Sequence, residues 1–403
     1  MKKQINHRND LAVAAILCIA SLFLCYRPTG FEDRLTGQST NCKGIVVAVD
    51  NSDVRQFGIV RMGAQSLKVA LLGGAFKGRT VEALNEITGK MELDKFFRVG
   101  DKVFMVLSLK NGDIFYAHAQ DHYRLGIELL LFSIFAGLLM FFGRWTGAKA
   151  LLSFIFSGLM IWKVLLPLVL KGFDPIAVGL IVVCALTAVI TILVGGWNRK
   201  GFVAFFGSFL GTATTYACAL AFSREFHLHG AVKPFAETLL YSGFPALNLH
   251  RIFIAGIFMA SSGALMDLAM DVSSSMEEVA VRDPSISFHE LLNSGFRVGR
   301  TVVGTMTTTL LLAYSGGYMT LLMVFMAQGA PLVNLLNMNY MAAEILQTVV
   351  GSFGLVTVAP FTAIVGAYFF ARGKRRNVAE TGRLSRDRHR IEKTIDQLID
   401  EGK

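Results

Sequence analysis

Apolar residues run through most of this chain in unbroken stretches long enough to cross a bilayer, not in the alternation of a soluble domain. Such stretches lie near 10–26, 124–143, 148–170, 174–196, 201–222, 250–272, 302–326 and 344–371. Each approaches the roughly 20 residues that a helix needs to span a hydrocarbon core. Residues 27–121 break the pattern. They carry short strand-like runs at Gly44–Val49, Leu67–Leu72, Thr80–Leu84, Lys102–Leu109 and Ile114–Ala119, the last two joined by an Asn111-Gly112 turn signal. Short strands separated by Gly-rich turns predict a small β-barrel, OB-like in type. The predicted fold class is therefore an α-helical polytopic membrane protein of about eight spans with an inserted small extracytoplasmic β-barrel (OB-like) domain. The predicted divisions are an N-terminal transmembrane anchor (1–26), the β domain (27–121), a multi-helix membrane domain (122–371) and a basic cytoplasmic tail (372–403).

Composition agrees with that class: 53% of the 403 residues are hydrophobic and 17% charged, and mean hydropathy is +0.51. Lys and Arg set the orientation. Lys2, Lys3 and Arg8 precede the first stretch, Arg144 and Lys149 separate the second from the third, Arg199 and Lys200 the fourth from the fifth, and Arg372, Lys374, Arg375 and Arg376 follow the eighth. With eight spans all of these fall on one side, so both termini are expected in the cytoplasm of a bacterial cell and the β domain outside the membrane. The 273–300 loop is mixed in sign and votes weakly. The net charge of +10 reads as this bias plus a basic tail, and no groove-reading element points to a nucleic-acid partner. Met1-Lys2-Lys3 before an apolar run resembles a signal peptide, but no small-residue cleavage site follows, which favours an uncleaved anchor.

The candidate chemistry gathers between residues 250 and 315. Steps of four and three from Gly256 reach Ala260, Gly263, Asp267, Asp271, Ser274 and Glu278, placing them on one helix face. Phe253, Ile257, Phe258, Leu265 and Leu268 occupy the opposite face, suited to lipid or to neighbouring helices. A carboxylate within a bilayer costs about 2.5–3.5 kcal/mol on insertion scales and normally faces protein or a wet cavity. Asp267 and Asp271 are thus candidate coupling residues, against the plainer reading that they are hydrated at the cytoplasmic end. Arg297 and Arg300 enter the next span at a similar expected depth, and Thr301, Thr305 and Thr308 follow at helical spacing. Hydroxyls there can ligate an ion or bond across helices, although Ser and Thr in membrane helices more often serve packing. Gly316-Gly317 and Ala330-Pro331 offer helix breaks of the kind coupled transporters use.

Lys163 is the other costly residue, about 10 Å inside the outer end of its span. It either snorkels outward or pairs with Glu128 or Glu344 as the acids of compatible depth. Pro167, four residues on, is expected to loosen that helix. Gly207 and Gly211 form a GxxxG pair that admits a close partner helix. His118 with His122, and His227 with His229, have metal-like spacing but no third ligand, so no metal site is expected. Cys25 and Cys42 both fall outside the membrane, where a disulfide is open to them. Ile391, Ile395, Leu398 and Ile399 give the tail a short amphipathic helix whose basic start can touch anionic lipid.

The run from Ala255 to Asp267 (AGIFMASSGALMD) resembles the signature of the YibE/F-like family of bacterial membrane proteins. Ser294-Gly295-Phe296-Arg297-Val298-Gly299-Arg300, Gly304-Thr305-Met306-Thr307 and Leu311–Gly316 resemble it too. So do Gly78-Arg79-Thr80, Val99–Val103 and Asp121-His122-Tyr123-Arg124 in and after the β domain. The chain departs from the family where Thr301 replaces the usual Asp and Thr308 the usual Asn. The resemblance implies a multi-pass protein of permease type without an established substrate. No nucleophile elbow, zinc-hydrolase motif or phosphate-binding loop is present, so an enzyme is not expected and no cofactor is implied. The leading expectation is a permease for a small solute, driven by protons or cations through Asp267 and Asp271. The rival is an envelope sensor or assembly factor whose β domain binds a ligand or partner. The lipid bilayer and a small solute or cation are the expected partners, and a homo-oligomer is left open.

Overall fold

The computed structural model describes residues 2–32 and 39–400, with side chains over 11–32 and 39–371. Lys2, Lys3, Arg8 and the tail from Arg372, with Ile391, Ile395, Leu398 and Ile399, therefore lie outside the described side chains. Two compact units emerge, Pro28–Arg144 and the remainder, Met1–Arg27 with Trp145–Lys403. Each is taken by itself.

The first unit is a closed barrel. Its strands are β1 (Ser39–Asp50), β2 (Arg55–Phe57), β3 (Val60–Leu71), β4 (Thr80–Ile87), β5 (Lys102–Lys110) and β6 (Asp113–His122). Five of them close in the order β1–β5–β6–β4–β3 and back to β1, while the short β2 pairs only with β3. All pairings are antiparallel except β4 with β6, which meet in parallel at Leu84 and His118. The five barrel strands bury alternate residues, the period-two signature of a sheet with one face inside, whereas β2 is exposed throughout. Val46, Leu67, Val69, Leu71, Val103, Met105 and Leu107 form the centre of this core. Asn111 and Gly112 turn β5 into β6 with φ of 55° and 85°, the left-handed pair that matches strand twist in a tight hairpin. At Gly44 a Cβ would come within 2.3 Å of Val69 Cγ1, so only glycine lets β1 cross the core there.

One inward position of β3 is polar. Gln65 is fully buried, and its amide accepts from Phe97 N–H (2.9 Å) and Asn85 Nδ2 (2.9 Å) while donating to Asn51 Oδ1 (2.7 Å). Asn85 Nδ2 also donates to the Lys95 carbonyl at 2.8 Å. The two amides thus carry the irregular 88–101 segment on the barrel, satisfying groups that would otherwise be buried unpaired.

The rest is helical. Among the described residues, six stretches are long and apolar enough to cross a membrane: Leu125–Leu170, Pro175–Gly195, Arg199–Glu225, Leu249–Arg282, Phe288–Ala327 and Asn339–Ala371. The expected spans 124–143 and 148–170 fall within the first of these. There α2 (Leu125–Met160) is broken at Arg144 (φ 47°, ψ −124°). A π-helical turn, Ile161–Leu165, then leads into α3 (Leu166–Leu170). Pro167 explains that turn, since its ring displaces the carbonyl four residues earlier and removes one N–H donor. The expected span 10–26 lies in α1 (Lys2–Tyr26), whose described apolar part is Leu11–Tyr26.

α4 (Pro175–Gly195), α5 (Arg199–Glu225), α7 (Leu249–Arg282), α8 (Phe288–Ala327) and α10 (Asn339–Asp400) form the bundle, with short α6 (Ala236–Tyr241) and α9 (Leu332–Asn337) between them. Glycines set their spacing. A Cβ on Gly207 would sit 2.0 Å from Thr362 Oγ1, and one on Gly211 would sit 2.9 Å from both Leu265 Cδ2 and Val358 Cβ. The GxxxG pair of α5 thus admits α10 and α7. Gly316-Gly317 precedes a kink in α8 at Tyr318 (φ −117°, ψ 15°), and Pro331 caps α9.

Two stability outcomes follow from this packing. Gly207→Ala should destabilise the helical unit by about 1–3 kcal/mol, an overpacking effect, and Thr362→Ala should recover part of it; thermal unfolding of the four-member cycle measures both. Gln65→Ala strips partners from the Phe97 and Asn85 groups and should cost about 1–3 kcal/mol for each group left unpaired, read as lost hydrogen-exchange protection across the barrel.

Candidate functional site

Packing decides which face of α7 is left over. Phe253, Ile257, Phe258, Leu265 and Leu268 are buried among α4, α5, α8 and α10. The stripe opposite them is the exposed one: Gly256, Ala260, Gly263, Asp267, Asp271 and Glu278 face out of the described chain, and Ser274 is half-buried. From the sequence, a carboxylate in this position is expected to face protein or a wet cavity. Instead the apolar residues took the interior, because they alone fill the close spaces beside the glycines of α5. A Cβ added at Gly256 or Gly263 would meet nothing within 4 Å, so the stripe is a shallow, open surface.

The start of α8 is pinned the same way. A Cβ on Gly295 would meet Met276 Sδ at 2.6 Å and Ala363 Cβ at 2.8 Å, and one on Gly299 would meet Ala359 Cβ at 2.8 Å. That seats one face of α8 on α7 and α10 and turns Arg297, Arg300, Thr301, Thr305 and Thr308 outward. Asp271 stands about 17 Å from the C-terminal end of α7, and Arg300 about 18 Å from the start of α8, at 1.5 Å per residue. The two levels coincide, as the hairpin between the helices requires. Coincidence of level is not pairing: among the described residues no ion pair joins Asp267 or Asp271 to Arg297 or Arg300. The acid–guanidinium cluster is therefore an arrangement of depth and sign. Thr301 Oγ1 donates to the Arg297 carbonyl (3.2 Å) and Thr305 Oγ1 to the Val302 carbonyl (3.0 Å). Their donors are spent on their own helix, leaving outward oxygens as acceptors.

Lys163 pairs with neither expected acid. It lies in the π-helical turn and donates from Nζ to the Arg27 carbonyl, 2.9 Å away, just past the end of α1. A cation on the last carbonyls of a helix completes its hydrogen bonding and opposes its dipole. Glu344 instead holds Lys233 at 2.5 Å, and Glu128 is exposed on α2 without an ion pair among the described residues. Sequence reasoning missed Lys233, because its loop position carries no depth signal.

The remaining expectations resolve simply. The five cysteines are free, with Cys42 inside the barrel core and Cys25 exposed on α1. His118 and His122 lie on a strand, where four residues span about 13 Å and one ion cannot bridge them. His122 stacks on Phe97 at 4.6 Å, and burial lowers the His118 pKa. His227 Nδ1 contacts the Glu225 carbonyl, and His229 Nδ1 accepts from Ala231 N–H. Among the described residues no group of three metal-binding side chains occurs. Asp174 caps α4 by accepting from Ile176 N–H (2.8 Å) and Ala177 N–H (3.2 Å), and it pairs with Arg251 of α7.

Among the described residues, a strand barrel is followed by six helices long and apolar enough to cross a membrane, which suits a membrane protein with an N-terminal β domain. Residues 131–372 match the YibE/F-like protein family and residues 43–121 match the YibE/F family N-terminal domain. The chain belongs to the YibE/F-like family. No curated protein and no solved structure matches it.

Replacing Lys163 by Met should release the end of α1, at a cost of about 1.5–3 kcal/mol for a charged hydrogen bond. Faster hydrogen exchange confined to residues near 20–27 is the expected readout.

Proposed function

We propose that the protein is a non-enzymatic permease of the cytoplasmic membrane, moving a small solute with protons or cations exchanged at Asp267 and Asp271. One observation carries this reading: two carboxylates one turn apart stand outward on an apolar helix, and the next helix turns Arg297, Arg300 and a row of threonines outward as well. A carboxylate held against lipid is costly, so it is retained where it takes up and releases positive charge. Protonation or cation binding removes that cost, and loss of the charge carrier restores it. The two states of the stripe thus differ in how they sit in the membrane, which is what a coupled transporter needs.

The topology proposed with it has eight crossings. α1 supplies one, and the break at Arg144 divides the long first stretch into two, with Arg144 and Trp145 as interfacial anchors at the cytoplasmic surface. Both termini are then cytoplasmic and the barrel is extracytoplasmic. A sensor or assembly role is the second reading. It is favoured by a recess of about 420 Å³ on the barrel, lined among others by Asp50, Ser66, Lys68, Glu82 and Tyr116; OB-like barrels use such surfaces for ligands, although fold alone does not assign one.

Proteoliposomes holding the native chain should show proton or cation flux above empty vesicles. Asp267→Asn and Asp271→Asn should lower it to the empty-vesicle level while the protein still inserts and unfolds cooperatively. Equal flux from native and variant chains, or none from any under several imposed gradients, rejects coupling through this stripe. Activity that survives both substitutions but vanishes when the barrel recess is altered selects the sensor reading.

A further inference from the structure

Away from the acidic stripe, α8 and α10 enclose a second polar constellation. The Tyr314 hydroxyl of α8 is sealed from solvent, with the Gln347 side chain as its polar approach and no hydrogen bond of good geometry. Glu344 and Gln347 of α10 are the polar groups flanking it. Thr348 is 7% exposed, and its Oγ1 likewise lacks a partner. Glu344, Thr348 and Gly351 share one face of α10 at steps of four and three. Gly351 lets α7 and α8 approach that face: a Cβ there would lie 3.3 Å from Leu310 Cδ2, 3.4 Å from Ser261 Cβ and 3.7 Å from the Tyr314 oxygen. A sealed hydroxyl without a partner at Thr348, and one with only Gln347 beside it at Tyr314, are each unfavourable, so something polar is expected to meet them.

The molecule also shows what the carboxylate accepts. Lys233, from the segment between α5 and α6, places its ammonium 2.5 Å from Glu344 Oε1 and 5.8 Å from the centre of the Phe253 ring. A carboxylate together with an aromatic face is a cation's environment. Lys233 is a tethered cation, and its ammonium satisfies Glu344 while leaving the Thr348 hydroxyl without a partner.

We infer that Glu344, Tyr314, Gln347 and Thr348 form a binding site for a small monovalent cation, and that Lys233 occupies its carboxylate until the cation displaces it. The ligands are one carboxylate, two hydroxyl oxygens and one amide oxygen, all hard donors with a single negative charge among them. That charge count suits a monovalent ion, or a primary ammonium whose three N–H groups find three acceptors. Displacement frees the Lys233 side chain, while Leu228 and Val232 stay packed in the core. The inference does not rest on transport through Asp267 and Asp271, because binding at equilibrium is read in chains that leave both untouched.

The test is thermal stability of the full chain in lipid nanodiscs, titrated with sodium, potassium or methylammonium chloride against choline chloride at constant ionic strength. At least one of the three should stabilise saturably where choline does not, and the arm that succeeds separates a metal ion from an ammonium. Glu344→Gln should abolish the effect. Tyr314→Phe and Thr348→Val should each raise the half-saturating concentration by about tenfold. Lys233→Met should lower it by about tenfold, the sign that a purely structural ion pair does not give. Should Glu344→Gln fail to fold, Lys233→Met decides alone: tighter binding supports the site, and unchanged or weaker binding overturns it. Stabilisation by none of the three cations, or stabilisation that persists in Glu344→Gln, also overturns it. Unchanged half-saturation in both hydroxyl variants assigns those groups to buried water and rejects the site as drawn.

Discussion

Close approach of α5, α7 and α10 is the constraint on which the rest of the helical unit depends. Between helices in lipid the hydrophobic effect contributes little, since a lipid tail is as apolar as a leucine, and association rests on tight contact of small residues. Gly207, Gly211 and Gly354 supply that contact, with Thr362, Val358 and Thr215 seated where a Cβ would stand. Once α7 is locked among its neighbours by Phe258, Leu265 and Leu268, its polar stripe has one direction left to face. The outward position of Asp267 and Asp271 is thus a by-product of packing on the other side of the helix. The same holds for α8, whose arginines and threonines point outward because Gly295 and Gly299 point in.

Buried polar groups show how the fold handles irregular backbone. In the barrel, Gln65 and Asn85 replace two core residues and take up the hydrogen bonds of a segment that forms no strand. In the helices, Pro167 forces a π-helical turn, and that turn presents Lys163 to the carbonyl at the end of α1. Each defect in regular structure is used by a side chain that a regular element would have left elsewhere. Such arrangements give uniqueness as well as stability, because only one register satisfies every group.

Charge is distributed at two levels of the helical unit. One level is the outward stripe of Asp267 and Asp271 with Arg297 and Arg300, open and without ion pairs among the described residues. The other is the Lys233–Glu344 pair beside Tyr314 and Thr348, partly enclosed and incompletely satisfied. In a low-dielectric surrounding, unmatched charge and unmatched hydroxyls are the groups whose energy changes most when a cation or proton arrives. The two levels lie on helices that share α10 and α7 as packing partners, so a change at one bears on the helices that carry the other.

The amino-acid sequence by itself determined the class of protein, five of the barrel strands, the Asn111-Gly112 turn, the close contact at Gly207 and Gly211, and which residues share the stripe on α7. All of these follow from period, run length or local turn chemistry, which act over a few residues. Gln65 was legible too, as a polar residue at an inward step of β3, had the strand been extended back to Val60. Only the tertiary structure decided that the acidic stripe faces outward, that Glu344 holds Lys233 and that Lys163 caps α1. Those outcomes depend on which helices meet and at what rotation. Rotation is set by steric fit at residues such as Gly211 and Leu265, more than fifty positions apart in the chain, and no local pattern encodes that distance.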